Sequence, residues 1–248
     1  MLGIMGAMPE EVEGILADMQ DRKEVKMAMR TFHVGKLHNR DCVVVFSRWG
    51  KVAAASTASI LIHHFKVKSI LFTGVAGGIH SDVKVGDIVI GRNFYQHDMD
   101  ARPLLEEFEI PLLGVNHFKG ITEQITIAEM QLKSHLAENI LFQEITENTK
   151  EKFGIHHPIL HVGDIASGDR FFASALDKQI LLQKLPKVLC VEMEGSAVAQ
   201  VAHENEIPFL VIRTISDAAN DTSATDFMSF IKEVASIYTR LIVRCLLL

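Results

Sequence analysis

Short apolar runs alternate along this chain with longer segments of helical period, and that alternation confines it to α/β folds. The runs read as strands at 2–6, 31–35, 42–47, 69–73, 87–91, 159–165, 188–191 and 209–214. Several are unbroken stretches of branched residues, as in Val43-Val44-Val45, which suits strands covered on both faces. Helices are expected at 9–19, 52–65, 122–139, 174–184, 195–204 and 224–246. Pro9 falls in a first helical turn, where its missing N–H costs nothing. The polar stretch 144–157 reads as a surface connection, and no repeat or Pro/Gly/Ser-rich linker interrupts the pattern. With 248 residues the expectation is a single domain over 1–248. Its architecture should be a three-layer α/β/α sandwich around a central mixed, twisted sheet.

Several function classes fall away at this level. A formal charge of −6 with no basic stripe argues against nucleic acid as a partner. Cys42, Cys190 and Cys245 are widely spaced and odd in number, without a Cys-x-x-Cys. That excludes a disulfide framework or zinc ribbon and suits a reducing, cytoplasmic setting. The N-terminus lacks the basic start of a signal peptide. Near the apolar C-terminus, Lys232, Glu233, Arg240 and Arg244 break any run that could span a bilayer, so a docked amphipathic helix is expected rather than membrane attachment. The pairs His63-His64 and His156-His157 point their rings in different directions, and His97-Asp98-Met99-Asp100 lacks further ligands. No metal is expected.

In folds of this type, function gathers on segments leaving the carboxyl ends of strands. Four such places carry unusual residues. Gly6-Ala7-Met8-Pro9-Glu10-Glu11-Val12 turns a strand tightly into a helix. Acidic residues there are favoured by the helix dipole alone, by ~0.3–1 kcal/mol. Thr73-Gly74-Val75-Ala76-Gly77-Gly78 follows a strand with glycines that allow close backbone approach. It is neither a dinucleotide fingerprint nor a P-loop. Val191-Glu192-Met193-Glu194-Gly195 joins an apolar strand to an alanine-rich helix, and packing does not explain two glutamates there. One carboxylate at such a rim can accept hydrogen bonds from a ribose diol, while Glu192 is the better candidate for a structural ion pair. Arg213-Thr214-Ile215-Ser216-Asp217 ends the fourth run, where an Asx-turn would be the plain explanation of Asp217.

Taken in order, these four segments resemble the methylthioadenosine/S-adenosylhomocysteine nucleosidases of the purine nucleoside phosphorylase superfamily. The resemblance extends through Gly50-Lys51-Val52-Ala53-Ala54, Lys84-Val85-Gly86-Asp87-Ile88-Val89, His97-Asp98 and Ser167-Gly168-Asp169. It covers nearly the whole chain and is weakest over 118–161. It implies a nucleoside phosphorylase-like fold, a nucleoside substrate, no cofactor, and a homodimer in which 98–113 closes the neighbour's pocket.

Residue by residue, the resemblance makes Asp217 the general acid at adenine N7 and Glu11 the base that orients and deprotonates water. Met193 and Glu194 would hold the ribose. Phe171 would stack on the base while the backbone of Phe172 reads its edge. Arg213 would join the polar network around the water, and Met8 would line the 5′-alkylthio pocket. Trp49, Val75, Ala76, Gly77 and Phe227 complete the expected substrate contacts. Trp49 departs from the family, standing where a smaller aliphatic is usual, and Val75 replaces a frequent serine.

The chemistry has its own logic. Adenine leaves readily if N7 is protonated as the C1′–N9 bond stretches. A free aspartic acid titrates near ~3.9, so holding that proton near neutrality asks roughly 4 kcal/mol of its surroundings. General acid catalysis supplies only about 10²–10⁴-fold, so positioned carboxylates facing a cationic ribosyl group must add to it. Three rivals share the fold or the pocket. A phosphorylase would need cations for phosphate, and Arg48 is the one awkward candidate. A non-catalytic nucleoside-binding protein would not need Glu11. Hydrolysis of another adenosine, such as aminodeoxyfutalosine, would use the same groups.

Overall fold

The computed structural model describes residues 1–138 and 143–247. Position 139, the last of one expected helix, lies outside them. Ten strands form one mixed sheet: β1 (Leu2–Gly6), β2 (Gln20–Met27), β3 (Arg30–Leu37), β4 (Arg40–Phe46), β5 (Ser69–Gly78), β6 (Ile88–Gln96), β7 (Phe118–Lys119), β8 (Leu160–Ser167), β9 (Val188–Glu192) and β10 (Phe209–Asp217). The helices are α1 (Pro9–Ala17), α2 (Lys51–His63), α3 (Thr122–Ala137), α4 (Glu147–Phe153), α5 (Ala175–Lys184), α6 (Gly195–Glu204), α7 (Ser223–Phe230) and α8 (Ser236–Leu247). A π-helical turn, Ile231–Ala235, joins the last two. One helical group is built on α1, α3 and α8, another on α2 and α6, and the three-layer α/β/α sandwich is the result.

The sheet order is β10-β6-β8-β9-β5-β1-β4-β3-β2, with β7 on β6. Because β10 also pairs with β5, the first five strands close into a ring while β1, β4, β3 and β2 extend from it as an open sheet. β1, β5 and β10 run parallel, so their carboxyl ends lie on one edge. β9 meets only the tip of β5, antiparallel through Gly77↔Val191 and Gly78↔Cys190, and so delivers its own end to the same place.

Three differences from the sequence reading have physical reasons. The glycine-rich stretch expected as a loop is strand, the second half of β5, because its bare backbone lets β9 and β10 crowd in from both sides. Strand β2 was not expected, since Gln20–Met27 is charged and almost wholly exposed; those are the traits of a protected edge strand. The stretch 144–157 holds α4, which Thr146 caps through its side chain and Gly154 ends in the left-handed region. At the C-terminus, α8 docks on α1, with Arg240 Nε 2.8 Å from Asp18 Oδ2. Among the described residues no helix is long and apolar enough to cross a membrane.

Candidate active site

The converging strand ends enclose a cavity of about 550 Å³, counted to its open mouth. Met8, Glu11, Trp49, Val75, Ala76, Gly77, Phe171, Phe172, Met193, Glu194, Asp217 and Phe227, all expected from sequence, line it. Arg213 does not. It lies beneath the floor, 1% exposed, with its guanidinium 4.1 Å over the Phe72 ring.

Glu11 occupies the third position of α1, and the helix start fixes its carboxylate. Oε2 accepts the N–H of Ala7 at 2.5 Å and of Met8 at 3.1 Å; Oε1 accepts the N–H of Val75 at 3.0 Å. Oε1 therefore keeps an open acceptor site. Burial pushes the Glu11 carboxyl above its usual range, opposed by Arg213 and those three N–H groups. A buried carboxylate with a raised proton affinity is the better base. A Cβ at Gly74 would sit 2.5 Å from Glu11 Oε1 and 2.9 Å from Arg213 Nη1, so only glycine lets these two approach. Its neighbour Glu10 is half-buried outside this arrangement.

The two glutamates of β9–α6 divide their work. Glu192 accepts Arg213 Nη2 at 2.5 Å, the Ser167 hydroxyl, and the N–H groups of Glu194 and Gly195, which caps α6. It is the ion-pair member the sequence suggested, and its acceptor capacity is largely used. Among the described residues Glu194 accepts only the Gly50 N–H, at 2.8 Å, and it presents the rest of its carboxyl to the cavity. Burial and then the Glu192 charge raise its pKa, against the pull of Arg213. Burial disfavours the Arg213 charge, but Glu192, Glu11 and Glu194 together hold it above the ordinary arginine range.

Asp217 is both a turn residue and a wall of the cavity. Its Oδ1 accepts the Ala219 N–H at 2.9 Å, the expected Asx-turn, and its Oδ2 accepts the Ser216 hydroxyl at 2.8 Å. The β5–β10 register slips between Ile215 and Asp217, and a Cβ at Gly77 would come within 3.1 Å of Asp217 Oδ1. The bulge and the glycine thus bring the aspartate over β5.

The mouth is aromatic. Trp49 stands edge-on to Phe227 at 6.0 Å, and Phe227 edge-on to Phe171 at 5.4 Å. Phe172 is buried, edge-on to His97 at 5.1 Å. Behind this wall three of the further motifs meet: Lys51 Nζ reaches Asp98 Oδ1 at 2.6 Å, and Asp169 Oδ1 accepts the Lys51 N–H at 2.7 Å. Asp98 Oδ2 in turn accepts the Asp169 N–H at 2.9 Å. Arg48, weighed for phosphate, is exposed and donates instead to Met29 O at 2.6 Å. Sequence reasoning missed Ala7, Arg170, Val191, Glu192 and Ser216 as lining residues. Ala7, Val191, Glu192 and Ser216 sit inside the four motifs and Arg170 directly follows Ser167-Gly168-Asp169, so proximity in sequence was the available signal.

A profile described as the phosphorylase superfamily matches residues 1–247, and the chain belongs to that superfamily. Within it the chain falls in the 5′-methylthioadenosine/S-adenosylhomocysteine nucleosidase family. It is 32% identical over 235 residues to the nucleosidase of that name from Staphylococcus haemolyticus, covering 95% of this chain and 94% of that one. It is 33% identical to an aminodeoxyfutalosine nucleosidase from Helicobacter pylori, covering 94% and 92%. A crystal structure of the Colwellia psychrerythraea 5′-methylthioadenosine/S-adenosylhomocysteine nucleosidase with adenine is similar with a TM-score of 0.86 and 32% identity, covering 99% of this chain and 93% of that one.

Proposed function

We propose that this chain hydrolyses the N-glycosidic bond of 5′-methylthioadenosine and S-adenosylhomocysteine, releasing adenine and the 5′-thio-substituted ribose. One observation carries the reading: Glu11 and Asp217, each 2% exposed, arrive from α1 and β10 at a single cavity that Phe171, Phe172, Met193 and Glu194 also line. Asp217 gives its proton to adenine N7 as the C1′–N9 electron pair leaves with the base. Water adds to C1′ from the other side and loses its proton to Glu11. Glu194 accepts the ribose hydroxyls with the acceptor sites that Gly50 leaves open. Phe171 covers the base and the Phe172 backbone reads its edge, while Met8, Trp49 and Phe227 surround the 5′-group. No step calls for a cofactor.

Phosphate in place of water is disfavoured by the Glu11 carboxylate that would act as base, and the lining set offers Arg170 alone as a cation. The Helicobacter pylori relative extends the candidate substrates to another 5′-substituted adenosine. A homodimer belongs to the same reading. Segment 98–113 leaves Leu104 and Leu112 bare on the surface, 87% and 101% exposed, as an arm covering a neighbour would. Free thiols at Cys42, Cys190 and Cys245 suit a cytoplasmic setting.

The test is a panel of 5′-substituted adenosines in phosphate-free buffer, scored by adenine release. Turnover of methylthioadenosine is expected, and Asp217→Asn should lose about 10²–10⁴-fold in kcat while keeping its circular dichroism spectrum. A reaction that needs added phosphate, or an Asp217→Asn enzyme with unchanged kcat, defeats the proposal.

A further inference from the structure

We infer that Lys178 is a positioning residue for the Asp217 acid, strapping together the two strand ends that carry it; this rests on the proposed role of Asp217. Lys178 projects from α5, outside every motif discussed above, and its Nζ donates to Ala218 O at 2.8 Å and to Gly78 O at 3.1 Å. Those carbonyls belong to the last residue of β5 and the residue after β10. They flank the place where the β5–β10 register slips to lift Asp217 toward the cavity. One ammonium therefore fixes both sides of the bulge.

Nothing else accounts for a cation at this point. Lys178 is the fourth residue of α5, near the end where the helix dipole works against positive charge. Among the described residues it forms no ion pair; Asp177, beside it, is taken by Arg170. It is partly buried, which lowers its pKa, and the Asp217 carboxyl is the charge that opposes the fall. Each feature is a cost to the helix unless the ammonium acts on what lies beyond it.

The consequence for catalysis is electrostatic as well as mechanical. Once Asp217 has handed over its proton it is an anion in a buried place, and the Lys178 charge stabilises that state. The other charged groups at or near the cavity are Glu11 on α1, Arg170 in the segment before α5 with its partner Asp177 in the first turn of that helix, and Glu192 and Glu194 at the β9–α6 junction. Arg213 of β10 lies beneath them. Arg213 is held by Glu192, and Arg170 by Asp177, so Lys178 is the cation left to serve Asp217.

The experiment compares pH profiles of kcat/KM for wild type, Lys178→Met and Lys178→Arg. The group that must be protonated sets the basic limb. Removing a nearby cation should move that limb to higher pH by about one unit, a tenfold change in proton affinity, with the acid limb unmoved. Lys178→Arg, which keeps the charge and the donors, should restore the wild-type limb. A variant that merely loosened the fold would lose activity equally at every pH, and a basic limb unmoved in Lys178→Met overturns the inference. Should Lys178→Met fail to fold, Lys178→Gln gives the same readout. Asp217→Asn run alongside separates the two claims: if it keeps wild-type kcat, the reading of Asp217 itself falls. If it is inactive while the Lys178→Met limb stays put, only the role of Lys178 falls.

Discussion

The floor and the mouth of the cavity are built on opposite principles. On the floor, Arg213, Glu192, Glu11 and Asp217 are almost wholly withdrawn from solvent and held by backbone donors, ion pairs and a cation–π contact. At the mouth, Trp49 is 52% exposed and Phe171 36%, and both are held by edge-on ring contacts with Phe227. A rigid, charged floor suits a step in which charge develops at a fixed atom, because preorganised dipoles need not rearrange. A loosely packed apolar mouth suits a variable 5′-group. With the roles proposed above, the fold would separate chemistry from selectivity by putting them on different elements.

The contrast breaks most visibly at Arg213. It is the one cation among three buried glutamates, and its Nε and Nη1 find no hydrogen-bond partner among the described residues. Arg213→Met keeps an unbranched apolar stem but removes the guanidinium, leaving Glu192 buried without its ion-pair partner. Losing one partner of a buried pair costs about 3–5 kcal/mol. Chemical denaturation should register that loss, together with a fall in activity as the Glu11 side of the floor loses its opposing charge. A variant with wild-type stability would mean that the floor is not held by this cation.

Glu194 sharpens the comparison, since it lies between the two regions. Burial, with Glu192 beside it, pushes its pKa up from 4.5 to about 8. The folded state then binds the proton more tightly than the unfolded chain, so stability is greatest at low pH. It declines as pH rises from about 4.5 through the folded value near 8. Glu194→Gln removes that titration. Its melting temperature relative to wild type should therefore climb across this window and level off above it, while ribose binding weakens. A difference that does not change with pH would show that Glu194 is ionised throughout in the folded enzyme.

How far these regions could be read from sequence follows from the same physics. Glu192 and Glu194 stand at the end of an apolar strand, where packing gives carboxylates no reason to be. Glu11 in a first helical turn and Asp217 in a turn each had a plain local explanation, and only the four motifs taken in order singled them out. The division between Glu10 and Glu11, or between Glu192 and Glu194, depends on which way a carboxylate turns from the helix start, and spacing does not encode that. Lys178 carried no signal at all, because a lysine in a polar helix is ordinary until its ammonium is found on two carbonyls 40 and 100 residues away in sequence. Strand β2 escaped for a related reason: its role as an exposed edge demands the polar composition that hides it. The π-helical turn at Ile231–Ala235 lies inside an unbroken helical pattern and leaves the periodicity legible on both sides.

The mouth gives the smallest effect. Trp49 contributes an apolar wall whose one aromatic neighbour among the described residues is Phe227, so its removal should leave kcat for methylthioadenosine unchanged. In the proposed binding mode a methylthio group would end against that wall, whereas the longer tail of S-adenosylhomocysteine would carry its charged groups on toward solvent. Trp49→Ala should therefore raise KM for methylthioadenosine several-fold more than for S-adenosylhomocysteine, a discrimination of about 1 kcal/mol, the scale of a small change in an apolar pocket. Steady-state kinetics on the two substrates measures the ratio directly. If kcat falls with both substrates while the KM ratio stays constant, Trp49 supports the floor, and the separation of selectivity from chemistry fails at this residue.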